Sequence, residues 1–592
     1  MNRFHRRRIL TQTEPMPVLK SNERSLALAA GAAFLAMTMM AGPGAAAGTS
    51  STDSALAQLT PSPLGHYLAS RHAQISHDLP AAADLLAFAL DADPDNRQLL
   101  ETSFNLLVGD GRIDEALAVA KRMETVGALD SLARVALALD KAKAKDYAAA
   151  DNYLAGIHGE GLERFLTPTL RAWTQLKAKG FEAANKTLAP LGEVNGFEPL
   201  YELQLGMLND VAKRPAEAAT HYDKALVTAS DQAFRMVEII ANFRLRQGDR
   251  KGAQVLYSAF EKDHPRTLLT APLRKAMAAG AKPPPVIATA ADGMAEGLFN
   301  LAVLLQGENS NDVALIMARL ALAGRGDDPI FRVLLADVLD AQSRSGAALA
   351  LYRQIPPEAP YGWQAQVKVG EELHKLGRDV EAVPYLQKLV ESRTDRAEAA
   401  VELGDILRAG KRFADAAKAY DTALARLHDP MVGEWSVFYF RGIALERSDQ
   451  WPKAELDFKK ALQLQPDQPY VLNYLGYTWV DRGVHLDEAI KMLQRATQQK
   501  PDDGFIIDSL AWAYYRLKQY DKAVLYQEKA VSLEPGDPVL NDHLGDIYWK
   551  VGRHNEARFQ WQRALAFKPD ADLVKPIEAK LQHGLDAEGT GG

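Results

Sequence analysis

Thirteen histidines are the natural candidates for metal or proton chemistry, yet their spacing supports neither. His66, His72 and His77 lie six and five residues apart, which does not set three imidazoles on one helical face. No H-E-x-x-H run, phosphate-cradling G-x-x-x-x-G-K-S/T loop or G-x-S-x-G nucleophile elbow occurs. The adjacent acids Glu371 and Glu372 read as solvated helix surface and not as a paired acid and base. Cysteine is absent, which excludes disulfides, thiol catalysis, cysteine-held metals and a lipid-modified cysteine. The expectation is a protein with no catalytic residues, no cofactor and no metal.

Charge narrows the partners. The formal net charge is −7, and 47% of the residues are hydrophobic against 24% charged, an ordinary globular balance. Residues 1–47 carry six basic groups and two acids, which leaves 63 basic and 74 acidic residues in the remainder. An acidic body does not attract nucleic acid or anionic lipid.

The elements that would position any site follow from an internal repeat. Alanines stand at 82, 116, 150, 184 and 218, each 34 residues after the last, and the ladder continues at Ala253. It resumes at Ala314, Ala348, Ala382 and Ala416 and ends with Ala454, Ala489, Ala523 and Ala557, which makes fourteen units. In the C-terminal half a second ladder follows seven residues later, at Ala461, Ala496, Ala530 and Ala564. Pro466, Pro501, Pro535 and Pro569 come five residues after those. A small residue precedes the first ladder at Gly404, Gly442, Gly476, Ala511 and Gly545, with large apolar residues around it such as Leu475 and Trp479. Apolar residues at i, i+3, i+4 and i+7 mark two amphipathic helices per unit. The small residue lets their backbones approach, and the proline stops the second helix. One hairpin cannot bury its apolar face alone, so the units must stack.

This pattern closely resembles the tetratricopeptide repeat family, most specifically over Leu472–Pro501, Ile507–Pro535 and Asn541–Pro569. The resemblance implies an all-α solenoid of about 14 repeats in two superhelical arms. It also implies that the first helices of successive repeats line a concave, partner-binding face. Carried onto this chain, the groove positions are Tyr439, then Asn473 and Tyr477, then Asp508, Trp512 and Tyr515, then Asp542, Asp546 and Trp549. The lysine–asparagine clamp by which some members hold a terminal carboxylate is missing, since Asp508 and Asp542 stand where a cation is needed. An aromatic, acidic groove favours a peptide with basic and apolar side chains.

The ends and joints complete the plan. Residues 26–42, Leu26 to Gly42, form an apolar run after a basic stretch and before Ala45-Ala46-Ala47, the layout of a secretory signal peptide cleaved near Ala47. An uncleaved N-terminal membrane anchor is the alternative, and Met16 is a second candidate start. The expected divisions are a signal peptide at 1–47, a linker at 48–62 and an N-terminal arm at 63–265. A joint around Pro283-Pro284-Pro285 follows at 266–293, then a C-terminal arm at 294–570 and a solvent-faced capping helix and tail at 571–592. The segments Asn473-Tyr-Leu-Gly-Tyr477, Asp508-Ser-Leu-Ala-Trp-Ala-Tyr-Tyr515 and His543-Leu-Gly-Asp546 are similar to bacterial exported tetratricopeptide proteins. Those include adaptors of periplasmic carboxy-terminal processing proteases, which are lipidated on a cysteine that this chain lacks. The resemblance implies a periplasmic scaffold or adaptor for a protein or peptide partner, such as a protease or its clients, with no stable membrane insertion after cleavage. The alternative is a structural component of an envelope secretion or polysaccharide assembly.

Overall fold

The computed structural model describes residues 62–158, 161–229, 233–308, 310–427 and 430–585, so the expected signal peptide and residues 48–61 of the linker lie outside the described residues. Among the described residues the chain is all-α: thirty α-helices, one short 3-10 turn at Val432–Glu434, and no strand. None of these helices is long and apolar enough to cross a membrane.

Six helix pairs come first: α1 (Pro63–Ile75) with α2 (Leu79–Ala92), α3 (Arg97–Asp110) with α4 (Ile113–Thr125), and α5 (Ser131–Lys143) with α6 (Tyr147–Ala155). Then come α7 (Glu163–Ala178) with α8 (Phe181–Gly192), α9 (Glu198–Val211) with α10 (Pro215–Thr228), and α11 (Phe234–Arg246) with α12 (Arg250–Asp263). The single helix α13 (Ala271–Ala278) precedes the extended proline segment. Pairing resumes with α14 (Ala290–Gly307) and α15 (Asn311–Gly324), α16 (Pro329–Ala341) and α17 (Ser345–Tyr352), and α18 (Gly362–Lys375) and α19 (Asp379–Ser392). It goes on through α20 (Glu398–Ala409) and α21 (Phe413–Arg426), α22 (Trp435–Arg447) and α23 (Trp451–Leu464), and α24 (Pro469–Arg482) and α25 (Leu486–Gln499). The last pairs are α26 (Gly504–Arg516) with α27 (Tyr520–Leu533) and α28 (Pro538–Lys550) with α29 (His554–Ala566), followed by α30 (Ala571–His583).

The alanine ladder explains the pairing. All fourteen alanines lie on the second helix of a pair and are at most 1% exposed. At the same depth, the small residue of the first helix rests on an aromatic ring sixteen positions later: Gly206 on Tyr222, Gly404 on Tyr420, Gly442 on Phe458 and Gly545 on Trp561. A methyl group at any of these glycines would come within 2.4–2.8 Å of the ring, so each packing needs glycine. Pro466, Pro501 and Pro535 each stand two residues beyond a second helix, as helix stops should. Most turns inside a pair use one left-handed residue. Gly377 and Gly552 fill that role, but after α20 it falls to Lys411 and not to Gly410.

The helices form two compact units that part at Tyr385 and Leu386, within α19. Inside the first unit, α14 and α15 turn back onto the early helices. Gly293 and Gly297, one turn apart on α14, receive Trp173 and Thr169 of α7. The Lys143 ammonium donates to the Ala323 carbonyl at 2.8 Å, and Arg319 Nε donates to the Gly109 carbonyl at 3.2 Å. Arg235 of α11 donates to both carboxylate oxygens of Glu296 and pairs with Glu238 and Asp328. At the C-terminus, α30 buries Leu573, Ile577 and Lys580 and leaves Asp572, Lys575, Glu578 and Gln582 exposed.

Candidate functional site

The nine expected groove residues sit on four successive first helices: Tyr439 on α22, Asn473 and Tyr477 on α24, Asp508, Trp512 and Tyr515 on α26, and Asp542, Asp546 and Trp549 on α28. Six of them are buried, and only Trp512, Tyr515 and Trp549 are half-buried. Tyr439 belongs to a ring cluster with Trp435, Phe440, Phe458 and Tyr474, at centroid distances of 5.2–6.1 Å. Burial raises its hydroxyl well above the usual tyrosine range. Asn473 and Tyr477 lie within a stretch of α24, Val471 to Val480, that is buried throughout.

The structure concentrates polar chemistry on the last two first-helices. Asp508 accepts from Gln527 Nε2 at 2.6 Å and lies 2.8 Å from His543 Nδ1. The His543 ring stacks on Trp512 at 4.0 Å, and Trp512 in turn stacks on Tyr515 at 4.6 Å. Burial lowers the affinity of His543 for its proton, but Asp508, Asp542 and Asp546 outweigh that and hold it above the ordinary imidazole range.

One turn further along the same surface, Lys580 of α30 is enclosed. Its ammonium donates to both oxygens of Asp542 and to Asp546 Oδ2, all at 2.8 Å. The other Asp546 oxygen accepts from the Trp561 indole at 2.9 Å. Burial favours loss of the lysine proton, yet the two carboxylates keep it bound more tightly than in an ordinary lysine. Burial also pushes the Asp546 carboxyl up, with Lys580 pulling it back and Asp542 adding to the rise. Trp549 stacks on His554 at 4.2 Å and lies 5.4 Å from Trp561.

His543 and Lys580 were missed in the sequence. The signal for Lys580 is the Leu573, Ile577, Lys580 spacing, which puts an ammonium at the end of an apolar helical stripe. As a whole the cluster combines buried carboxylates with half-buried, stacked aromatic faces, chemistry that suits cationic and apolar side chains.

Glu371 and Glu372 are not simple surface: with Asp340 they make the acidic group close enough to share an ion among the described residues. Glu372 is fully buried, and the Lys375 ammonium sits among the three, 2.7 Å from Glu371 and 2.8 Å from Glu372 and also bonded to Asp340. The place a cation would take is filled by lysine. His66 stacks on Phe88 at 4.7 Å, and the structure does not gather it with His72 and His77 into an ion-holding group.

Two stretches, residues 375–429 and 506–537, match the tetratricopeptide repeat family. A TPR repeat-containing protein of Pseudomonas aeruginosa is 28% identical over 186 residues, covering 31% of this chain and 30% of the relative's own length. Among solved structures, the Cut9–Hcn1 hetero-tetramer of the APC/C is similar at 16% identity and a TM-score of 0.37, covering 90% of this chain and 98% of that one. Yeast Tom70 is similar at 13% identity and a TM-score of 0.32, covering 77% of this chain and 96% of that one. The repeat matches and the helical pairs together support a tetratricopeptide repeat protein.

Proposed function

We propose that this tetratricopeptide repeat protein is a non-enzymatic scaffold, exported to the cell envelope, that grips a protein or peptide partner on the inner face of its last repeats. The partner contributes basic and apolar side chains. One observation carries this reading: Asp542 and Asp546, beside Trp549, already enclose an ammonium delivered by an apolar helical stripe. Half-buried Trp512 and Tyr515 extend that surface with stacked rings, and aromatic anchors of this kind carry much of the energy in protein interfaces. Export is supported by the basic, apolar and small-residue order of residues 1–47. An adaptor for a periplasmic protease is the finer form of the reading and rests on the resemblance of the C-terminal repeats.

The test is capture from the cell envelope with the full chain beside a Trp512→Ala/Tyr515→Ala variant of unchanged helicity. A partner held by the wild type and lost by the variant supports the reading, and equal retention by both removes it. Sequencing the N-terminus of the envelope form tests export, with Gly48 as the expected first residue.

A further inference from the structure

The helix that fills the carboxylate pair is the chain's own. α30 is poorly equipped to be a helix by itself. Pro576 lies in its interior, where it lacks an N–H and crowds the preceding turn, and the N-cap residue Asp570 makes no side-chain capping bond. At thirteen residues it is also near the length below which isolated helices are marginal in water. Its order comes from what it touches. Leu573 and Ile577 join the core formed by Leu540, Leu544, Tyr548 and Trp561, and Lys580 reaches Asp542 and Asp546. Beyond the helix, Gly584 at φ +70° closes over Trp549, where an added methyl group would meet the indole at 2.1 Å.

The two carboxylates also dictate what could replace it. With α30 lifted away, Asp542 and Asp546 would face each other one helical turn apart with no cation between them, a costly arrangement for like charges near a core. An occupant must therefore bring its own ammonium.

We propose that α30 is a ligand held in cis, and that the partner displaces it by presenting an amphipathic helix with a lysine seven residues after one apolar residue and three after another. This rests on the reading of the inner face as the binding surface. The partner helix would lie where Leu573, Ile577 and Lys580 lie now, helix in groove, with its lysine between Asp542 and Asp546. Binding would be weakened in the resting chain by the fraction of molecules whose own helix is docked.

A fluorescent peptide with the sequence of residues 570–585 tests this by anisotropy against the full chain. The Lys580→Asp chain, whose own helix is repelled, should bind the peptide at least tenfold more tightly than wild type. Adding Asp542→Asn and Asp546→Asn to that chain, or replacing the peptide's lysine by aspartate, should abolish the gain. Equal affinity for wild type and Lys580→Asp overturns the proposal. Should Lys580→Asp perturb the end repeats, hydrogen exchange of the wild type decides. α30 amides exchanging at least tenfold faster than those of α28 and α29 support a separable ligand, and exchange in step with them makes α30 a fixed end cap. If the peptide fails while Trp512→Ala/Tyr515→Ala still loses the captured partner, the cis ligand falls and the binding surface stands.

Discussion

Replacing Gly545 by alanine probes the packing that supports the carboxylate pair. The new methyl group would lie 2.4 Å from Cδ1 and Nε1 of Trp561, so that fully buried ring must move about 1 Å to reach ordinary contact distance. The same ring donates its indole N–H to Asp546 at 2.9 Å, and the shift breaks or bends that bond. Overpacking a tight core costs about 1–3 kcal/mol. A lost hydrogen bond to a charged acceptor costs about 1.5–3 kcal/mol, while alanine returns about 1 kcal/mol of helix propensity. The net is a loss of roughly 3 kcal/mol, confined to the last repeats because stacked repeats share stability mainly with their neighbours. Gly476 holds the same repeat position but would meet the Ala489 carbonyl and Leu493 at 3.1 Å and Met492 Cβ at 3.4 Å, so Gly476→Ala should cost less than Gly545→Ala. Amide exchange across α24–α30 reads both variants separately, which a single melting curve of a long repeat array does not. A Gly545→Ala chain as protected as wild type would refute the argument that the aromatic ring, and not helix propensity, requires glycine there.

In the first unit, Arg235→Leu should cost about 3–5 kcal/mol, because it strands Glu296 and Glu238 in the core beside Asp328; an unchanged thermal melt would contradict that. Gly293→Ala should loosen α14 from α7 by about 1–3 kcal/mol, since its methyl group would meet the Trp173 ring at 2.1 Å, and quencher access to Trp173 fluorescence reports the opening. Burial raises Asp337 to about 6, although the Tyr352 hydroxyl bond pulls the other way. The unfolded chain therefore gives up this proton first, and stability falls as pH rises from about 4 to about 6 and stays lower above. Asp337→Asn should gain about 1–2 kcal/mol at pH 7, after allowance for partial exposure, and nothing near pH 4, as paired melts would show.

The repeat ladder was legible because each unit solves the same local problem. An alanine every 34 residues marks the buried line of a second helix, and burial of all fourteen follows from neighbouring contacts alone. The candidate site was legible only in part. Spacing placed Trp512 and Asp542 on consecutive first helices, but not the His543 ring against Trp512 or the Lys580 ammonium on Asp542. Likewise Glu372 looks like surface in a charged helical stretch, yet it is fully buried with the Lys375 ammonium 2.8 Å away.

The sequence by itself determined the helix pairs, their order, the glycines at close crossings and the acidic, aromatic character of the last first-helices. These depend on residues within one repeat length, where helical periodicity maps spacing onto contact. Tertiary structure alone decided that α14 turns back to α7, that the compact units part within α19, and that α30 seats its lysine between two aspartates. Arg319 meets Gly109 across 210 positions. Contacts at such separations depend on rotations accumulated from repeat to repeat, and no local spacing encodes that sum.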